Sequence, residues 1–171
     1  VFTLANDRVI IEAHPLGHRY AIDLVKQVAN MNTGTYLDEE LQDVTPTNFC
    51  IGVAAYPEKH FEAPNLTTDM RWLKAKIDAG AEYLVTQMFF DNSKYFAFVE
   101  KCKEMGINVP IIPGLKPITT RKQLTSLPKA FHVDIPQELI DRIEACKTDA
   151  DVKSEGIQWC VEQSKELMKA G

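Results

Sequence analysis

At 171 residues the chain is long enough to bury a real hydrophobic core. Its 45% hydrophobic and 25% charged residues are the balance of an ordinary globular protein, and no apolar run approaches the roughly 20 residues of a membrane-spanning helix. The formal net charge of −5 gives no electrostatic reason to expect nucleic acid or an anionic membrane surface as a partner.

The chain opens on a short apolar run, residues 1–4, that stops at Ala5-Asn6-Asp7. Residues 20–30 place Ala21, Leu24, Val25 and Val28 at the spacing of an amphipathic helix. A polar connector follows over 31–48, with one helical turn expected at 37–41. Residues 49–55 read as a buried strand. Residues 67–79 read as a helix with Met70, Leu73 and Ile77 inward, a threonine cap near its start and Gly80 as its left-handed stop. Residues 83–87 are a strand, and 92–105 a helix with Tyr95, Phe98, Val99 and Cys102 on one face, closed by Gly106. Residues 109–113 form a further strand. The remainder reads as helical: 120–127, then 136–146 with Pro136 in its first turn, then 149–169 with Ile157, Cys160, Val161, Ser164 and Met168 as the expected inward stripe.

Strands followed by helices about 30 residues apart indicate βα units and a parallel sheet. Four such units fit either a small doubly wound sheet or half of a barrel, since a complete (β/α)8 barrel takes about 250 residues. Periodicity alone leaves both open.

In either architecture the carboxyl ends of the strands face the site. Polar groups recur there: Asp7, then Tyr56 with His60, then Gln87, then Pro113-Gly114 leading to Gln123. The sharpest cluster is Tyr56-Pro57-Glu58-Lys59-His60, where Pro57 holds the backbone extended or turning and an aromatic ring stands beside cationic groups. That set suits a planar, anionic ligand, although a solvated loop with a capping histidine explains the same residues. Asp69 and Lys76 are two turns apart on one helix face, which taken alone is an ordinary charged surface. His14, His18 and His132 show no metal-ligand spacing, so no metal is expected. Neither a dinucleotide-type glycine fingerprint nor a P-loop is present, and no GxSxG nucleophile turn occurs. Cys50, Cys102, Cys146 and Cys160 are far apart with no CxxC pair and read as reduced, mostly buried thiols, which fits a cytoplasmic protein.

Four long stretches, GHRYAIDLV (17–25), IGVAAYPEKHFEAPN (51–65), LKAKIDAGAEYLVTQMFFDN (73–92) and GINVPIIPGLKPI (106–118), resemble the methylenetetrahydrofolate reductase family, in the family's order. The resemblance implies that residues 1–171 are one partial catalytic domain: part of a (β/α)8 TIM barrel with parallel strands, with the family's first strands expected before Val1 and its last strand after Gly171. It implies FAD as cofactor, NADH or NADPH as reductant, and reduction of 5,10-methylenetetrahydrofolate to 5-methyltetrahydrofolate. Asp7, Tyr20, Ala21, Tyr56, His60, Ala63, Asp69 and Lys76 would contact the flavin. Asp7, Gln87 and Gln123 would contact the folate, with Asp7 and Gln87 the catalytic pair. The implied partners are the small-molecule folate and further copies of the chain in a homo-oligomer. Ala5-Asn6 stand where the family usually has Arg-Gly, which removes a guanidinium beside Asp7. That departure and the missing strands keep open an alternative, a truncated non-catalytic relative that serves as a binding or assembly subunit.

Overall fold

Four parallel strands lie side by side in chain order: β1 (Phe2–Leu4), β2 (Ile51–Ala55), β3 (Tyr83–Met88) and β4 (Ile111–Gly114). The computed structural model describes residues 2–4, as backbone only, and 18–170. Helix α1 (Ala21–Asn32) joins β1 to β2, α2 (Leu66–Asp78) joins β2 to β3, and α3 (Asn92–Glu104) joins β3 to β4. After β4 come α4 (Gln123–Phe131), α5 (Gln137–Ala145) and α6 (Asp149–Ala170).

The strand order β1-β2-β3-β4 never reverses, and every neighbouring pair is parallel. A doubly wound sheet reverses its order and carries helices on both faces. Here Ile51, Val53, Ala55 and Leu84 share one buried cluster with Val25 of α1, Met70 and Leu73 of α2, and Phe98 and Cys102 of α3. All three connecting helices therefore cover the same face, which is the winding of consecutive units of a (β/α)8 barrel. Alternation along the strands sends Gly52, Ala54, Tyr83, Val85 and Ile112 to the other face. Gly52 leaves the room that the Tyr83 ring fills: a Cβ on it would lie 2.2 Å from Cζ of Tyr83, so the ring would have to shift. Toward β4 this inner face is open, with Ile112 48% exposed.

A second core gathers at the carboxyl side. Phe90, just after β3, and Ile118, beyond β4, pack with Leu127 of α4, Val133, Leu139 and Ile143 of α5, and Val152 of α6. Helix α6 crosses the 115–119 segment at Gly156, where a Cβ would sit 1.7 Å from the Ile118 carbonyl oxygen.

Three local expectations are corrected. Residues 37–41 contain a bend and a turn rather than a helical turn. Helix α2 is capped by Asn65, whose side chain accepts the Thr68 N–H over 2.8 Å, and not by a threonine. The inward row of α6 is Val152, Gly156, Trp159 and Gln163, while Ile157, Val161 and Met168 are exposed, Met168 by 83%. Cys50 is exposed, whereas burial pushes the Cys102 thiol up to about 12. The glycine stops hold: Gly80 and Gly106 take φ of +117° and +70°.

Candidate active site

The carboxyl ends of β2 and β3 each release a short polar segment beside the open inner face. After β2, the loop 56–65 begins at Tyr56, whose ring meets that of His60 edge-on, with centroids 4.6 Å apart and planes at 72°. His60 is fixed from helix α2, since its backbone N–H donates to Asp69 Oδ2 over 2.8 Å. Its Nδ1 accepts the Glu62 N–H over 3.3 Å. Lys59 sits at φ +100°, unusual for a side-chain-bearing residue, and its ammonium returns to the loop, donating to the carbonyls of His60 (3.0 Å) and Ala63 (2.6 Å). Thus Lys59, one of the cationic groups of the 56–60 cluster, directs its ammonium to the loop's own carbonyls.

Lys76 is 8% exposed and donates to the Ala54 carbonyl over 3.1 Å. Asp69 and Lys76 do share one face of α2, as expected, and that face grips the end of β2 and the loop beyond it. Ala63, half-buried, is held through its carbonyl by Lys59.

The end of β3 carries an irregularity between Val85 and Met88 in its pairing with β4. Thr86 Oγ1 accepts the Gly114 N–H over 2.9 Å, and Gly114 comes so close that a Cβ would lie 2.3 Å from the Thr86 carbonyl oxygen. Such an irregularity re-aims a side chain at a sheet end. Gln87 lies within this stretch and is half-buried; its Oε1 accepts the Met88 N–H over 2.9 Å and its amide nitrogen has no partner among the described residues.

Gln123 opens α4. Its Oε1 accepts the backbone N–H groups of Thr119 (2.6 Å) and Thr120 (3.1 Å), so the amide oxygen caps the turn before the helix. Tyr20, exposed, is the N-cap of α1, and Ala21 is the first residue of that helix. In a parallel βα unit, helix starts lie at the carboxyl end of the sheet. Asp7, with Ala5 and Asn6, lies outside the described residues. The structure therefore brings Tyr56, His60, Ala63, Asp69 and Lys76 together around the β2 end, sets Gln87 at the end of the neighbouring strand, and leaves Tyr20, Ala21 and Gln123 at separate helix starts.

One set of contacts had no local signal in the sequence. Glu58 Oε2 accepts the Asp134 N–H over 3.0 Å across 76 residues of chain. The Phe61 ring stacks on His132, 4.5 Å between centroids and 17° between planes. Burial, followed by the nearby Asp134 and Asp91 carboxylates, raises the Glu58 pKa, against the Asp134 N–H and Lys94, which lower it. Among the described residues no cluster of three or more metal-ligating side chains occurs.

A family model described as methylenetetrahydrofolate reductase matches residues 4–171. A probable methylenetetrahydrofolate reductase (NADPH) of Caenorhabditis elegans is 40% identical over 124 residues, 72% of this chain and 19% of the relative. Methylenetetrahydrofolate reductase 1 of Schizosaccharomyces pombe is 36% identical over 156 residues, 91% of this chain and 24% of the relative. The chain thus spans about a quarter or less of the length of these relatives. A solved Clostridium thermocellum protein that binds two copies of 5-methyl-5,6,7,8-tetrahydrofolic acid superposes with a TM-score of 0.53 at 25% identity, over 70% of this chain and 41% of that one.

Proposed function

The chain belongs to the methylenetetrahydrofolate reductase family, and from that premise we propose that it contributes the flavin- and folate-holding surface of an enzyme that reduces 5,10-methylenetetrahydrofolate to 5-methyltetrahydrofolate with NADH or NADPH. The observation that carries the reading is the pairing of two neighbouring strand ends. The edge-on Tyr56–His60 pair stands at the end of β2, and the Gln87 amide nitrogen is unused at the end of β3. Aromatic edges and one spare amide donor fit a planar heterocycle with ring carbonyls, which is the chemistry of a flavin or a pterin. When bound, FAD supplies the redox chemistry, accepting hydride from the reduced nicotinamide and passing it to the folate.

The chain's own residues bind and orient. Tyr56, His60 and Ala63 border the flavin, with Asp69 and Lys76 toward its polar tail and Tyr20 and Ala21 at the start of α1. Gln87 donates to the pterin, and to the nicotinamide when that takes the same place. Gln123, its oxygen committed to the turn, offers its amide nitrogen to the folate. Asp7 is assigned beside the flavin and pterin. On the same reading the protein works in the cytoplasm as a homo-oligomer.

The full-length protein should purify with the yellow flavin band near about 450 nm, a property of the cofactor, and should form 5-methyltetrahydrofolate from NADH or NADPH. A folded, colourless protein that fails to take up added FAD would overturn the enzyme reading and leave the non-catalytic one.

A further inference from the structure

We propose that the 132–134 segment is the anchor that sets the Tyr56–His60 pair, with Glu58 and His132 as positioning residues of the loop after β2; this deepens, and rests on, the flavin-holding role proposed above. The loop has no strand ladder to fix it between Tyr56 and the Asn65 cap of α2. Helix α2 holds it from one side, through Asp69 and the His60 N–H. The 132–134 segment holds it from the other.

That segment is rigid for reasons of its own. His132 closes α4 in the left-handed conformation, φ 54°, with its N–H on the Pro128 carbonyl at 2.9 Å. Val133 is buried in the second core. Asp134, next in chain, therefore presents its N–H at a fixed place, where Glu58 Oε2 takes it. Three residues further along the loop, Phe61 lies flat on His132. The two contacts bracket Lys59 and His60. Between them the backbone carries its φ of +100° at Lys59, a conformation that persists only where the surroundings over-determine it.

Glu58 makes this contact through one oxygen alone. Oε1 is buried and has no hydrogen-bond partner among the described residues. A half-buried carboxylate that uses one oxygen on a distant backbone amide and leaves the other unbonded is a poor stabiliser and a specific tether. Because His60 follows Lys59 directly and its ring also touches Phe61 at 4.9 Å between centroids, a shift at either contact moves the His60 imidazole away from Tyr56.

The test titrates FAD into flavin-free full-length protein and follows amide hydrogen exchange of the same samples before FAD is added. Glu58→Ala and His132→Ala should each weaken FAD binding by about tenfold, the size of one lost contact. Glu58→Gln keeps an acceptor oxygen, and His132→Phe keeps a stacking ring, so both should stay within about twofold of wild type. In the flavin-free protein, Glu58→Ala should speed exchange at the Asp134 amide and across 58–63 and leave β2 and α2 unchanged. Unchanged exchange at those amides, or wild-type FAD affinity in Glu58→Ala and His132→Ala, overturns the anchor. Wild-type protein that takes up no FAD sinks the flavin reading instead, and the exchange data then decide the anchor by themselves. His132 and Phe61 are exposed, so the His132 variants keep the inference testable if Glu58→Ala fails to fold.

Discussion

The backbone N–H of His60 donates to Asp69 Oδ2 over 2.8 Å, from the loop after β2 to the first turn of α2. The carboxylate therefore does two things at once. It sits where the positive end of the helix dipole favours negative charge, and it fixes the backbone of a residue proposed to border the flavin. The charged face of α2 continues inward to Lys76, which holds the carboxyl end of strand β2 through the Ala54 carbonyl.

Asp69→Ala should cost about 1–3 kcal/mol of unfolding free energy, because it strands the His60 N–H in a half-buried loop. Asp69→Asn keeps an acceptor and loses only the charge, so it should cost less than half as much. Urea unfolding of the two variants against wild type measures both. Equal losses would mean that the charge, through the dipole or a further partner, outweighs the bond.

Gln87→Ala should lower kcat/KM for the folate by about 1–3 kcal/mol of transition-state stabilisation, the cost of leaving ligand polar groups unpaired. Flavin content should stay at the wild-type level, since none of the flavin contacts proposed here is made by Gln87. Steady-state kinetics with the folate varied, alongside an absorbance ratio for bound flavin, separate the two effects. Unchanged folate kinetics would reduce Gln87 to a strand-end residue that caps Met88.

Much of the framework is legible from the sequence because its causes are local. Buried parallel strands write continuous apolar runs, as in 51–55, and glycines at 80 and 106 end helices where a left-handed residue is needed. The choice between an open sheet and a barrel segment is not local. It rests on strand order and on which face the helices cover, and only the family resemblance favoured the barrel. Helix α6 shows the other limit. Its most apolar row, Ile157, Val161 and Met168, points outward, because the contact that seats the helix is made by the smallest residue on it. Gly156 and Gln163 read as polar or neutral in any apolar pattern, yet they are buried. Likewise the strand-end residues Tyr56, His60 and Gln87 stand out in sequence, whereas the Glu58–Asp134 and Phe61–His132 contacts join segments with no shared pattern.

The raised pKa of Glu58 predicts a pH dependence of stability with a definite sign. Burial is the largest cause, so the folded state holds the proton more tightly than the unfolded chain does. Between the ordinary glutamate range and the raised value the folded state binds more protons, and stability from this group falls as pH rises. Below both values the penalty is absent; above both it is constant. Facing groups are Asp134 and Asp91, which raise the value, and Lys94, which lowers it. Glu58→Gln removes the titration. Its stability relative to wild type should therefore increase with pH just above the ordinary glutamate range and then level off. Urea midpoints for the two proteins across mildly acidic to neutral pH give the comparison. A difference that shrinks with rising pH would reverse the assigned direction.

Gly156→Ala sets helix propensity against packing, and packing should win. In the interior of a helix, alanine is favoured over glycine by roughly 0.5–1 kcal/mol. At this position the added methyl would lie 1.7 Å from the Ile118 carbonyl oxygen and 2.7 Å from its carbon. Those are backbone atoms, so no side chain can swing aside; either α6 lifts or the 115–119 segment moves. Overpacking of this kind typically costs about 1–3 kcal/mol, and a backbone obstacle belongs at the upper end. The second core shares the damage, since Val152 and Trp159 flank Gly156 on the same face and pack against Phe90 and Ile118. The net expectation is a loss of about 2 kcal/mol or more, read as a lower denaturation midpoint, with weakened binding of folate because Gln123 opens α4 just beyond the displaced segment. Glycine at 156 would be dispensable, and the close crossing of α6 over Ile118 wrong, if the alanine variant proved as stable as wild type or more so.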